Sequence, residues 1–242
     1  MKIELFIPCF IDQLFPQTAF NTVKVLEKAG CTVQYNPAQT CCGQPAFNAG
    51  YWDEAKEVGS KFLSDFSEDK FIVSPSASCT GMVKNYYNDL FTNTAVHNKC
   101  RSVQANIHEL SDFLVNVIKR DYFGAELEGR AVYHDSCSGL RECKIKHEPR
   151  QLLSRVLGLE LVELKDSTTC CGFGGTFAIK FDAISSAMAQ QKVENAMAVG
   201  AEYIISTDAS CLLQLQGYID KNNLPIKTMH LADVLASGWG NV

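Results

Sequence analysis

The sequence predicts an α/β protein made of two tandem lobes, each with its own parallel sheet, related by internal duplication. Three observations carry this. Short β-like runs alternate with helical ones in both halves, the pattern of a parallel sheet covered by helices. "FIVSPSASC" at Phe71 to Cys79 returns as "YIISTDASC" at Tyr203 to Cys211, an offset of 132 residues. "TCCG" at Thr40 to Gly43 returns at Thr169 to Gly172, offset 129, and "FIPC" ending at Cys9 aligns with "HDSC" ending at Cys137, offset 128. Around His108 and His230 a fourth pair of segments reads as the start of an amphipathic helix, and these two histidines are matched with each other. The lobes are therefore expected at 1–122 and 123–242, joined near Gly124 to Gly129 without a long flexible linker.

The elements follow in order. "IELFIP" is a strand leading to Cys9. Phe20, Val23 and Leu26 recur at helical spacing until Gly30 stops the helix, and "CTVQYN" is a second strand with Cys31, Val33 and Tyr35 on one face. Past a turn at Pro37 come Cys41 and Cys42. Ala55, Val58, Phe62 and Phe66 then mark a helix, and "FIVSP" is a strand that delivers Cys79. In the second half "AVYHDS" leads to Cys137, and a helix near Leu152 to Leu157 precedes the strand "LELVEL". A long helix carrying Ile184, Met188 and Met197 ends at Gly200 before the strand "EYIIST". Both lobes read as Rossmann-like, with every repeated cysteine following a strand. Ligands of open parallel sheets bind at the carboxyl ends of strands, so thiols from separate loops can converge there.

Composition narrows the function. The chain has 242 residues, 46% of them hydrophobic and 20% charged, and a net charge of −5. No basic stretch tracks along it as phosphate binding needs, so nucleic acid is not an expected partner. Glu4, Pro8 and Asp12 interrupt the apolar start, and no segment has the length of a transmembrane span, so a cytoplasmic location is expected. In a reducing compartment eleven cysteines imply metal binding, redox chemistry or burial.

Eight of the eleven obey one grammar: Cys9, Cys41, Cys42 and Cys79 in the first half, and Cys137, Cys170, Cys171 and Cys211 in the second. Gaps of 31 and 36 residues in one half match gaps of 32 and 39 in the other. Sets of four soft thiolates suit an iron–sulfur cluster or a structural zinc. Zinc usually takes close pairs from a small knuckle, whereas these come from three loops. Gly43 and Gly172 let the backbone turn tightly beside each adjacent pair. Dithiol exchange at Cys41–Cys42 or Cys170–Cys171 is the alternative, though it leaves the other repeated thiols without a role. No Ser/His/Asp or paired-carboxylate constellation stands out, so no catalytic step is placed on this chain.

The duplicated C…"CCG"…C arrangement resembles the cysteine-rich CCG domain of heterodisulfide reductases and of the iron–sulfur subunits of glycolate oxidase and anaerobic glycerol-3-phosphate dehydrogenase. A chain consisting of two such repeats is most similar to the lactate-utilization members of that family. The resemblance implies an electron-transfer subunit that works with two partner proteins, one with ferredoxin-type clusters, to oxidise L-lactate to pyruvate. It implies one or two iron–sulfur clusters on the eight cysteines, with zinc in one lobe as a variant. The heterodisulfide reductase version has a fifth cysteine three residues after the fourth, where this chain has Met82 and Gln214. An ordinary four-cysteine [4Fe-4S] site is therefore expected rather than a non-cubane cluster. Heterodisulfide reductase-like thiol/disulfide chemistry and a zinc-binding assembly scaffold are the alternatives.

Cys31 aligns with Leu159 and reads as core; Cys100 and Cys143 lack twins and read as bystanders. His134 and Asp135, opposite Phe6 and Ile7 in the repeat, could tune the second site or simply end a strand. The basic run Arg141, Lys144, Lys146, His147 and Arg150 reads as a solvated face that could meet an acidic partner.

Overall fold

Two four-stranded sheets, every neighbouring pair of strands parallel, account for the doubled pattern. The computed structural model describes residues 1–239; the last three residues of the expected second lobe lie outside the described residues. The first sheet has order β2-β1-β3-β4, with β1 at Lys2–Leu5, β2 at Thr32–Tyr35, β3 at Ile72–Ser74 and β4 at Ile107–Glu109. The second has order β6-β5-β7-β8, with β5 at Glu126–Tyr133, β6 at Leu157–Val162, β7 at Tyr203–Ser206 and β8 at Lys227–His230. Crossover helices cover the faces, as parallel strands require. Among the described residues no helix is long and apolar enough to cross a membrane.

Strand register places the duplication in space. Val33 pairs with Ile3 and Leu161 with Ala131, which keeps the 128-residue offset and sets Cys31 against Leu159 as the sequence predicts. At the fourth strand the sequence match is one residue out. Ser74 pairs with Glu109 and Ser206 with His230, so the counterpart of His230 is Glu109, and His108 corresponds to Met229. Both true counterparts cap the next helix: the Glu109 carboxylate accepts the N–H groups of Ser111 and Asp112, and His230 Nδ1 accepts that of Ala232. A shared histidine letter hides a position that keeps its role but not its residue type.

Other expectations shift for physical reasons. Phe20 is exposed, and Thr18 and Thr22 are buried instead. The helix Pro16–Lys28 lies against the second lobe, where Asp233 accepts from Thr18 Oγ1 at 2.8 Å and from Asn21 Nδ2 at 2.9 Å. Leu157 begins β6 rather than ending the preceding helix, which spans His147–Leu153. On the helix Asp182–Ala198 the buried face is Ser185, Ala189, Lys192, Val193 and Ala196, while Ile184 is exposed. Glu126 to Gly129, expected in the join, already belong to β5.

One apolar core runs through both lobes, from Ile3, Leu5 and Ile11 to Phe113, Tyr133, Leu152 and Leu231, and each lobe has a private core on its other side. Polar bonds close the seam: Asp208 accepts from Ser76 Oγ at 3.1 Å and from the Ser78 N–H at 3.0 Å, and His230 Nε2 donates to the Pro75 carbonyl at 2.8 Å. Asp208 is the repeat counterpart of Ser76, so the pseudo-twofold passes between them.

Glu109 makes the seam sensitive to pH. Its side chain is buried with Oε1 unpartnered, while Oε2 takes the capping bonds and the Ser111 hydroxyl. Desolvation outweighs those bonds and pushes its carboxyl up to about 8, with Asp112 adding to the rise and Tyr133 and Cys143 nearby. The folded state thus holds a proton that the unfolded chain releases near the ordinary carboxyl value, so stability falls as pH rises between them. Across pH 5 to pH 8 the denaturation midpoint of the wild type should fall relative to that of Glu109→Gln, which lacks this contribution. An unchanged slope in the variant refutes the assignment.

Candidate metal centre

The sheet order brings the thiols together. Because β1 lies between β2 and β3, the loops leaving the carboxyl ends of these three strands are neighbours. Cys9 opens the helix Cys9–Leu14 after β1, Cys41 and Cys42 precede the helix Gln44–Ala49, and Cys79 lies in Ala77–Gly81 after β3. In the second lobe Cys137 precedes Ser138–Glu142, Cys170 and Cys171 lie ahead of Thr176–Lys180, and Cys211 is in Ala209–Lys221. All eight line one cleft of about 630 Å³ between the lobes. Phe10 and Phe173, one from each lobe, meet edge to face across it at 5.6 Å.

Within each lobe the sulfurs form a string along the cleft in which each thiol shifts the ionisation of its neighbour, Cys9–Cys41–Cys42–Cys79 and Cys137–Cys170–Cys171–Cys211. Cys9 and Cys41 are 3.9 Å apart. The CCG turn aims an N–H at the first thiol of each pair: Gly43 N lies 3.4 Å from Cys41 Sγ, and Gly172 N lies 3.4 Å from Cys170 Sγ. Bonds from Cys42 and Cys9 hold the Cys41 thiol far below the ordinary range, and bonds from Cys137 and Cys171 do the same for Cys170. Their partners Cys9, Cys42, Cys137 and Cys171 are raised correspondingly. Each string thus holds a shared negative charge beside neutral thiols that release protons when a cation enters.

This donor set fits a soft metal centre. Tetrahedral zinc sulfurs sit about 3.8 Å from one another, from bonds of about 2.3 Å. Among the described residues the one trio of ligand atoms all within 4.8 Å of one another is His134, Cys171 and Cys211. Neither four-thiol string is gathered as one small ion would gather it. A string that is open at its ends suits a wider group.

The family model of the CCG cysteine-rich domain matches twice, at residues 3–84 and 131–216. The chain belongs to the CCG cysteine-rich domain family. It is similar to the lactate utilization protein A of Geobacillus sp. strain WCH70, at 41% identity over 98% of this chain and 100% of that protein. The lactate utilization protein A 2 of Bacillus cereus strain 03BB102 is 39% identical, over 98% and 99% respectively. Among solved structures, a hypothetical protein from Helicobacter pylori has the same fold, with TM-score 0.59 and 12% identity over 99% of this chain and 49% of that one.

In this CCG chain the other cysteines stand apart from the cleft. Cys31 and Cys100 are buried in apolar cores, and Cys143 Sγ donates to the Ala77 carbonyl at 3.3 Å. Where the fifth cysteine is absent, Met82 is fully buried and Gln214 donates to Ser185 Oγ at 2.8 Å. Arg150 of the basic run is not a free docking charge. It grips the buried Asp135 carboxylate through two 2.8 Å bonds and also pairs with Glu163. Lys192, which no sequence motif marks, lies buried behind the second string. The signal that exposes it is the superposition of the two CCG helices, which puts a lysine on a core-facing position.

Proposed function

We propose that the chain is an electron-transfer subunit carrying a [4Fe-4S] cluster in each lobe, one on Cys9, Cys41, Cys42 and Cys79 and one on Cys137, Cys170, Cys171 and Cys211. Bound there, such clusters supply one-electron redox chemistry. The convergence of eight thiols on one cleft is the observation that carries this reading. The names of the relatives supply the context, lactate utilization. By the family resemblance two partner proteins, one with ferredoxin-type clusters, complete an L-lactate-oxidising system.

The cleft itself argues against lactate being oxidised inside it. Among the described residues that line it none is Lys, Arg or His, and its one carboxyl side chain is Asp208. A carboxylate entering there would find no side-chain cation to replace its water. This supports reading the chain as a relay of electrons within a larger system.

Zinc in one lobe is the second reading. The His134, Cys171 and Cys211 trio favours it, being gathered as a single ion needs. Anaerobic purification followed by iron, sulfide and zinc analysis decides. Iron and acid-labile sulfide in equal amounts, near eight per chain for two such clusters, are expected. Stoichiometric zinc without iron or sulfide overturns the electron-transfer reading, and a reducible Cys41–Cys42 bond without iron favours thiol/disulfide exchange.

A further inference from the structure

The duplication breaks directly behind the thiols. Gly43 and Gly172 each abut a helix backbone, at Ala55 and Ser185, which sets the offset between those helices at 130 residues. The buried faces then correspond one to one: Ala55, Gly59, Phe62, Leu63 and Phe66 against Ser185, Ala189, Lys192, Val193 and Ala196. Phe6 and Phe62, which meet edge to face at 4.9 Å behind the first string, are replaced behind the second by His134 and Lys192.

His134 is fully buried and neither ring nitrogen has a hydrogen-bond partner. One ring nitrogen lies within 4.8 Å of the sulfurs of Cys171 and Cys211. The ring does not line the cleft, so it stands on the far side of those sulfurs from anything bound between the lobes. Lys192 is 1% exposed, with its ammonium bonded to the Asp166 and Ser167 carbonyls at 2.7 and 3.0 Å, and its charge reaches Cys171 and Cys137. Of the acids whose charge reaches Lys192, Asp166 is exposed and screened by solvent. Asp135 is held by Arg150, and Asp208 bonds to Ser76 and Ser78 of the first lobe, so its charge is shared by both sites.

Charge and hydrogen bonds to sulfur set the potential of a thiolate-bound cluster. We propose that His134 and Lys192 are positioning residues that make the second site the easier of the two to reduce. An imidazole always carries an N–H to offer to sulfur, and a buried cation stabilises the more negative, reduced state, whereas the phenyl rings behind the first string do neither. The inference rests on the proposed clusters and assigns their order: added electrons settle in the second lobe.

The test is an anaerobic dithionite titration followed by EPR, on wild type, Cys42→Ser, Cys171→Ser, His134→Phe, Lys192→Met and Lys192→Arg. Two reductive steps are expected, at least tenfold apart in redox equilibrium, about 59 mV for a one-electron couple. The higher-potential step should vanish in Cys171→Ser and the lower in Cys42→Ser. His134→Phe and Lys192→Met should lower the upper step alone, and Lys192→Arg should retain it. The wild-type order tests the inference even if His134→Phe fails to fold. Clusters in both lobes that reduce together, an inverted order, or steps unmoved by both substitutions overturn this inference alone, whereas a cluster in one lobe only overturns it together with the proposal of one cluster per lobe. Wild type without iron and sulfide overturns the proposed function beneath it.

Discussion

Replacing Cys171 by Ser should remove about half of the iron and sulfide and leave the fold intact. The two strings are each drawn from one sheet, so under the proposed ligation losing a donor from one should spare the other. Cys171 is 1% exposed and sits mid-string between Cys170 and Cys211. Serine keeps the shape but offers a hard oxygen that stays protonated where a thiolate would form. Cys42→Ser should remove the other half, and the double variant should hold almost none, by metal and sulfide analysis with circular dichroism as the control for folding. Cys143→Ser should change neither, since its thiol points to the Ala77 carbonyl. If Cys171→Ser keeps full iron, or loses both halves while still folded, the division of the ligands between lobes is wrong.

How much of this is legible in the sequence depends on what each element has to do. The strands leading to Cys9, Cys79, Cys137 and Cys211 are buried runs of β-branched and aromatic residues, so their period and length reveal them. β4 and β8, no shorter than β3 and β1, escape the same test because they carry polar side chains, Glu109 and His230, whose task is to cap a helix. The helix Pro16–Lys28 and its buried Leu26 are legible, but the first half of its buried face is not, because Thr18 answers Asp233 across the seam and Thr22 bonds back to the Thr18 carbonyl. No local pattern announces a contact 215 residues away. The grouping of the thiols into two sets comes from repetition. That both sets open onto one cleft, and that aromatic rings lie behind one and charge-bearing groups behind the other, comes only from the fold.

The two CCG glycines should respond unequally to alanine. Both take a left-handed backbone, φ +84 at Gly43 and +91 at Gly172, so a side chain at either costs about 1–3 kcal/mol in strain alone. A Cβ on Gly43 would reach the Ala55 carbonyl oxygen at 3.1 Å, tight but open to a small shift. On Gly172 it would fall 2.5 Å from the Ser185 carbonyl oxygen and 3.1 Å from Met188 Cβ. The backbone of the helix Asp182–Ala198 cannot yield there without moving Lys192 and the buried face beside it. That overpacking adds about 1–3 kcal/mol more. Gly172→Ala should therefore lose about 2–6 kcal/mol in urea denaturation and most of the second lobe's iron. Gly43→Ala should lose about 1–3 kcal/mol and keep more of the first lobe's iron, since its turn can still point the Gly43 N–H at Cys41. Equal losses would mean that the helix behind the second CCG turn is free to retreat, and that the turn alone sets the geometry of the thiols.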